Sequence, residues 1–389
     1  MTEGVPARGA LGRLRALAIV VKVVVALLAV EWWVRGPFFD SYVMPRFAGN
    51  HVFVRERSGG RQPSILFDVV EKLPRRGVRV AFLGDSAMVA FGSRDETAVP
   101  FLVRERLRRR LGRFDIDAVD ASVIGLYASD GAIFVSKLLG AKVDVIVYGV
   151  LLRAFAQNVN TKWVTGISSE MGPQDLMRMT AAGGFPWLVR NVGLENIVAG
   201  VVHTTWATYA YRTAIGDTLT TMVPQLGIVL HHEPMERQPA VAPRPMAKAG
   251  ALNMAREQFG YPSAHWEAFE LLGCLCGQYA PGRCVVFSSP INPEGREEVI
   301  EPGLYEEFRE RMRVMAGRSG MVWRDYTDAL TPADFIPPTF PGQKRDAIHM
   351  NGGGRVKLAK LLTEPVGEIV ARISRERDGQ GALPPPVGD

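Results

Sequence analysis

The chain has 389 residues, of which 47% are hydrophobic and 22% charged, so it can bury a large globular core. Its formal net charge is +6, but the basic residues are spread along the chain without any nucleic-acid-binding motif, which argues against a nucleic-acid partner. The three cysteines, Cys274, Cys276 and Cys284, have no histidine close by, so we predict no metal and no cofactor. Either one disulfide bond to Cys284 or free thiols fits their spacing.

The N-terminal segment predicts a membrane-spanning helix. Residues 16–34 are almost wholly apolar, basic residues precede them, and the stretch ends with two tryptophans. We predict an uncleaved signal anchor, because no convincing small-x-small cleavage site lies before Glu31. A cleavable signal peptide, and hence a soluble secreted protein, is the alternative. The positive-inside bias then places residues 1–15 in the cytoplasm and the rest of the chain outside it.

Apolar strands alternate with helical patterns after an irregular approach segment over residues 35–77. Val78–Leu83 and Val143–Val150 are apolar on both faces, as buried parallel strands are. Asp115–Ser122 is predicted to be a strand between them. The intervening helices are predicted over residues 96–111 and 129–139.

The alternation stops over residues 152–262, where aromatic residues and a Pro-rich passage occur, and we interpret this region as a helical insertion. Strands and helices then resume, and a disordered tail is predicted over residues 375–389. This pattern predicts a parallel-sheet α/β/α domain of three layers over residues 78–374. The later elements are predicted over residues 264–279 (helix), 284–289 (strand), 321–324 (strand) and 355–373 (helix).

A Gly-Asp-Ser turn at the end of the first strand supplies a candidate nucleophile, Ser86. Sites in parallel sheets form at the carboxyl ends of strands, and a serine there needs a histidine base oriented by a third group. Of the six histidines, we select His349, because it lies in a loop with Asp346 three residues before it. Asp328 and Asp334 are the alternative orienting carboxylates. The sequence therefore predicts a Ser-His-Asp triad.

Two blocks resemble the SGNH hydrolases, also called GDSL-like esterases. The stretch GDSAMVAFG resembles the first block of that family, and DAIHMNGGGRVKLAKLL resembles its last block. The resemblance covers residues 78–150 and 282–373 and implies a flavodoxin-like α/β/α fold. It implies that Ser86 is the nucleophile, that His349 is the general base and then the general acid, and that Asp346 orients His349.

The resemblance also implies an oxyanion hole with three donors. Two are the backbone N–H groups of Ser86 and of Gly125, which follows the second strand. The third would be an asparagine side chain after the third strand, where this chain has Leu151. The candidate substitutes lie a little further along the chain: Arg153, Gln157 and Asn158.

We therefore predict a membrane-anchored serine esterase or O-acyltransferase that acts outside the cytoplasm through an acyl-serine. The segment SSPINPEG and the Pro-rich loop before His349 loosely resemble proteins of teichoic acid D-alanylation and exopolysaccharide acetylation. That resemblance implies an acylated glycan or small ester as substrate and a membrane acyltransferase as partner. The alternative is a non-catalytic scaffold that binds the glycan or the acyltransferase, because the expected asparagine is missing.

Overall fold

The structure is a computed structural model, and it describes the following residues: 8–44, 52–53, 64–73, 75, 77–88, 97–123, 125–157, 171–206, 211, 215, 254, 256–337 and 346–379. Its sheet has six strands in the order β1-β3-β2-β4-β5-β6, and all neighbouring strands are parallel. In chain order the strands are β1 (Val52–Phe53), β2 (Val78–Leu83), β3 (Ile116–Asp120), β4 (Val145–Val150), β5 (Cys284–Ser288) and β6 (Val322–Asp325).

The α-helices alternate with these strands and pack on both faces of the sheet. Among the described residues they are α1 (Arg8–Trp33), α2 (Ser64–Lys72), α3 (Val99–Leu111), α4 (Ala128–Gly140), α5 (Pro173–Ala181), α6 (Phe185–Asn191), α7 (Leu194–Thr205), α8 (Ala264–Tyr279), α9 (Pro293–Val299), α10 (Leu304–Arg318) and α11 (Gly352–Asp378).

The central strand β2 divides the core into two layers, as its alternating side chains show. Val80 and Phe82 pack in the cluster that α3 and α11 cover. Ala81 and Leu83 point to the other face and join the cluster that α4 and α8 cover. Successive side chains of a strand point to opposite faces, so a wholly apolar strand is buried on both sides. The predicted three-layer α/β/α class is confirmed.

The strand order is also the one that the resemblance implies. From β3 to β6 the order is β3-β2-β4-β5-β6, which is the flavodoxin-like order in which the first strand of the pattern lies between the second and the third. The predicted helix over residues 264–279 begins and ends as expected, and the side chain of Ser263 caps it by accepting the N–H of Trp266 at 3.5 Å.

The prediction of an irregular approach segment over residues 35–77 is wrong in part. A π-helical segment, Val34–Val43, continues directly from α1, and β1 and α2 follow it. Phe38 and Phe39 of this segment are buried, and the ring of Phe67 in α2 contacts the ring of Phe134 at a centroid distance of 5.4 Å. These elements are held by tertiary contacts, such as those of Phe39 with Tyr211 and of Phe67 with Phe134 on α4, which short apolar patterns do not reveal on their own.

The last helix also extends beyond its predicted end and includes the first four residues of the predicted tail. It reaches Asp378, whose carboxylate accepts a hydrogen bond from Arg113 at 2.6 Å. Arg377 donates to the carbonyl of Gly77 at 2.8 Å. These contacts with other elements stabilise a polar helix end that composition alone predicts as disordered. Residues 380–389 lie outside the described part of the chain.

The N-terminal helix is long and apolar enough to cross a membrane. The candidate span covers Leu17–Tyr42, and only 6% of its most apolar window is buried. Elsewhere, Cys276 and Cys284 form a disulfide bond between α8 and β5, whereas Cys274 is an exposed free thiol. Within the predicted insertion, helices α5, α6 and α7 are described, and the Pro-rich passage over residues 231–250 lies outside the described residues.

Asp130, in the first turn of α4, makes the stability of the fold depend on pH. Its carboxylate is 1% exposed and accepts the N–H of Tyr127 at 3.4 Å, while Oδ1 has no hydrogen-bond partner among the described residues. Burial raises the pKa of Asp130 from 3.8 to about 7. Between these two values the native state binds one more proton than the unfolded state, so the free energy of unfolding falls as the pH rises.

We expect Asp130→Asn to remove this pH dependence, because the amide keeps the acceptor for Tyr127 but does not ionise. Relative to wild type, the variant gains stability as the pH rises from about 4 to 7, by up to about 4 kcal/mol. Denaturant unfolding of the full chain in detergent at several pH values measures the difference. Asp117→Asn is the control, since that side chain on β3 is 40% exposed. Equal pH slopes in wild type and Asp130→Asn would contradict the prediction.

Candidate active site

A tight turn after β2 places Ser86 at the carboxyl edge of the sheet. Gly84 begins the turn, and a Cβ atom there would lie 2.4 Å from Cγ of Met88, so a larger residue does not fit. The Asp85 side chain accepts the N–H of Ala87 at 2.9 Å, and its carbonyl accepts the N–H of Met88 at 3.0 Å. These hydrogen bonds close the turn and leave Ser86 half-buried.

The structure brings the three predicted triad residues together. His349 Nε2 lies 3.1 Å from Ser86 Oγ, and Nδ1 of the same ring lies 2.9 Å from Asp346 Oδ2. The other oxygen of Asp346 accepts the backbone N–H groups of Ile348 at 2.9 Å and His349 at 2.7 Å. The side chain of Asp346 is only 4% exposed and that of His349 is 16% exposed. The carboxylate is therefore held in place, and it orients the imidazole towards Ser86.

The two alternative carboxylates are engaged elsewhere. Asp328 pairs with Arg296 at 2.6 Å and with Arg309 at 3.2 Å. Asp334 pairs with Lys357 at 2.8 Å and accepts the hydroxyl of Thr331 at 2.9 Å. Of the three carboxylates considered from the sequence, Asp346 is the one that contacts His349.

A residue that the sequence interpretation did not assign to the site, Asn292, holds the triad loop. It is 1% exposed, and its Nδ2 donates to the carbonyl of Asp346 at 2.9 Å. Its backbone N–H donates to the carbonyl of Ala347, also at 2.9 Å. Its Oδ1 accepts the N–H of Glu294 at 3.2 Å and so caps α9. The sequence signal is Asn-Pro-Glu at a helix start, which predicts the cap but not the loop contact.

We expect Asn292→Asp to lower kcat while KM for the ester stays close to the wild-type value. An aspartate keeps the acceptor that caps α9 but loses the donor to Asp346, which leaves that carbonyl unsatisfied, at a cost of about 1–3 kcal/mol. Steady-state kinetics on a chromogenic ester measures kcat and KM separately. The control is Asn191→Ala, which removes a hydrogen bond to Trp187 on α6, away from the triad. Equal kcat values for both variants would show that Asn292 does not position the triad.

The predicted oxyanion donors are the backbone N–H groups of Ser86 and Gly125. Gly125 lies beyond β3 and has a φ of +73°, a conformation that favours glycine. Within the described part of the chain, neither the N–H of Ser86 nor that of Gly125 donates a hydrogen bond.

The third oxyanion donor is not an asparagine in this chain. Leu151 is 3% exposed and has no polar side-chain atom. Gln157 donates to the carbonyl of Gly260 at 2.9 Å, and Asn158 lies outside the described residues.

Arg153 is the candidate substitute that lies beside the site. Its side chain is exposed. Burial raises the pKa of the Tyr127 hydroxyl, and the charge of Arg153 lowers that pKa in part. Burial raises the pKa of Asp85, the neighbour of Ser86, and the hydrogen bond from the N–H of Ala87 partly counteracts that rise, as does, more weakly, the positive charge of Arg153.

The fold and the site together define a serine-histidine-aspartate constellation at the carboxyl edge of a parallel, flavodoxin-like sheet. Such a constellation activates a serine hydroxyl for nucleophilic attack. No group of three His, Cys, Asp or Glu side chains among the described residues could hold a metal ion.

Comparison with known proteins gives likenesses to solved structures. No family model matches the chain, and no curated protein matches it. TesA covers 75% of this chain and 99% of its own, with 11% identity and a TM-score of 0.36. A GDSL-like lipase from Parabacteroides merdae covers 75% of this chain and 97% of its own, with 11% identity and a TM-score of 0.35. A catalytic mutant of Axe2, an acetylxylan esterase from Geobacillus stearothermophilus, covers 76% and 97%, with 12% identity and a TM-score of 0.33. These identities and scores are low, so the function proposed below rests on this chain's own residues.

Proposed function

We propose that this chain is an SGNH-type serine esterase or O-acyltransferase that works through an acyl-serine intermediate. The observation that carries the proposal is the continuous hydrogen-bonded line from Asp346 through His349 to Ser86, with distances of 2.9 Å and 3.1 Å. A base in contact with the hydroxyl and an orienting carboxylate behind the base are the two requirements for an activated serine.

In the proposed first half-reaction, Ser86 Oγ bonds to the carbonyl carbon of the ester while His349 Nε2 takes the hydroxyl proton. The carbonyl electron pair moves to oxygen, and the N–H groups of Ser86 and Gly125 stabilise this oxyanion. The tetrahedral intermediate collapses, the bond to the leaving oxygen breaks, and His349 returns the proton to that oxygen. The products are a free alcohol and an acyl group on Ser86.

The second half-reaction uses the same groups in reverse. His349 takes a proton from the acceptor hydroxyl, whose oxygen attacks the acyl carbon, and the Ser86 oxygen leaves with that proton. Water as acceptor gives ester hydrolysis, whereas a sugar hydroxyl gives O-acyl transfer. The proposed substrate class, acyl groups of cell-envelope polysaccharide, is supported by the loose resemblance of the segment SSPINPEG.

The proposed location is the outer side of a cell membrane, with residues 1–15 in the cytoplasm and residues 16–34 as the anchor. Residues 78–374 would form the enzyme domain, with an insertion over residues 152–262. The apolar, exposed N-terminal helix supports an anchor, and the disulfide between Cys276 and Cys284 is typical of an oxidising compartment. Intact-mass analysis of the native protein tests the anchor, since a cleaved signal would remove the first 30 or so residues.

A fluorophosphonate probe tests the nucleophile directly. We expect the full-length wild-type protein in detergent to gain the mass of one probe, and we expect Ser86→Ala to gain none. Ser319→Ala is the control, because Ser319 caps the end of α10 and should label like wild type. Absence of labelling in wild type, under conditions that label a known serine esterase, would favour the scaffold function that the apolar Leu151 suggests.

A further inference from the structure

Helix α7 carries an exposed apolar stripe that the proposed chemistry does not use. Leu194, Val198, Val202 and the following Trp206 are spaced four apart and are 58%, 55%, 53% and 48% exposed. Residues four apart lie on one face of a helix, so these side chains form one continuous stripe. The opposite side of α7 faces the protein through Ile197, which is 2% exposed. A stripe of this length on a helix that is already packed on one side indicates a further contact.

The carboxyl end of this helix lies beside the end of α1, where the predicted anchor over residues 16–34 ends. Arg35 follows the last residue of α1 by two positions, and its guanidinium donates to the carbonyl of Thr205 at the end of α7. Lys72 in turn donates to the carbonyl of Arg35 at 2.6 Å. The stripe therefore ends, at Trp206, next to the residues that directly follow the predicted anchor.

The residues around this junction are those that favour a membrane–water interface. Trp32 and Trp33 are 70% and 45% exposed, and Trp206 is exposed at the same end of α7. The side chains of Arg35 and Lys72 are 52% and 38% exposed. Arg35 pairs with Glu31 at 3.0 Å and Lys72 with Asp40 at 3.8 Å, so the tryptophans, which are enriched at the headgroup level, are the residues that indicate an interface here.

We propose that α7 lies in the membrane interface, with its stripe against the acyl chains, as a second attachment of the domain beside the anchor. The proposal rests on the anchor included in the proposed function. The occupant is the lipid surface and not a second copy of the chain, because the carboxyl end of the stripe lies beside Arg35, two positions after the last residue of the apolar helix α1. Amphipathic helices bind membranes in this way, with the apolar face buried at the headgroup boundary. Two attachments would restrict how the enzyme domain rotates above the bilayer.

Spin-label accessibility in the full-length protein tests this contact. In a Cys274→Ser background, nitroxides are placed at Val198→Cys and Val202→Cys on the stripe. Leu27→Cys, within α1, reports whether the anchor is in the bilayer. Phe114→Cys is the matched water control, because Phe114 is an apolar side chain that is 88% exposed before β3. The protein is reconstituted in vesicles of phosphatidylcholine and phosphatidylglycerol, and collisions with oxygen and with a water-soluble nickel chelate are compared.

We expect the labels on the stripe, like the Leu27 label, to collide more often with oxygen and less often with the nickel chelate. The Phe114 label should stay accessible to the nickel chelate. A lipid-like Leu27 label with nickel-accessible stripe labels would overturn the docking but leave the anchor intact. A water-like Leu27 label would overturn the anchor and the docking together. Stripe labels shielded from both reagents would overturn the docking in favour of a protein partner, and dipolar broadening between labels would identify that partner as a second copy.

Discussion

Replacing His349 with alanine is expected to lower kcat for a chromogenic ester by about 10⁴–10⁶-fold. The imidazole is 3.1 Å from Ser86 Oγ and would be the group that both removes the serine proton and returns it to the leaving oxygen. Without it, the hydroxyl remains a weak nucleophile at neutral pH. Initial rates with the full-length protein in detergent measure the loss, and gel filtration shows that the variant stays folded.

The control for this prediction is His203→Ala, which removes a histidine of α7 that contributes nothing to the triad. Its kcat should equal that of wild type. If His349→Ala kept wild-type activity, another base would serve Ser86 and the proposed mechanism would be wrong.

Asp346→Asn is expected to lower kcat by about 10⁴-fold, with the fold retained. The asparagine amide can donate to His349 Nδ1, which stabilises the tautomer that carries its proton on Nε2 and cannot act as a base. The amide also lacks the negative charge that stabilises the imidazolium. Steady-state rates on the same ester measure the effect, and the fluorophosphonate labelling rate should fall in parallel.

Asp328→Asn is the matched control, since it changes a nearby carboxylate whose partners are Arg296 and Arg309. We expect this variant to retain wild-type kcat. A large loss of kcat in Asp328→Asn with little loss of kcat in Asp346→Asn would show that Asp328 orients His349. That result would refute the triad described above.

The cost of lacking the oxyanion asparagine can be compared with the effects of these two substitutions. Loss of one oxyanion donor costs about 2.7–4 kcal/mol of transition-state stabilisation, which is less than the loss of the base. With only the two predicted backbone donors, Ser86 and Gly125, the proposed reaction would therefore be slowed less than by the loss of His349.

The buried strands and the best helices could be predicted from the sequence because their patterns are strong and local. Val78–Leu83 is apolar at nearly every position, and its structure follows those bounds. The segment Val34–Val43 and helix α2 were missed because each gains stability from burial in the tertiary core, not from a long pattern of its own. The extension of α11 to Asp378 was missed because it depends on a contact with Arg113, which lies far away in the chain.

The sequence by itself determined the α/β class, the apolar N-terminal helix and the residue types of a serine triad, because these depend on local periodicity and short motifs. The tertiary structure decided which carboxylate meets His349, that Asn292 holds their loop, and that α7 ends beside Arg35. Ser86 and His349 are 263 positions apart in the chain, and only the packing of β2 against α11 brings them within hydrogen-bond distance. Contacts of that separation depend on how whole elements pack, and no local pattern in the chain records them.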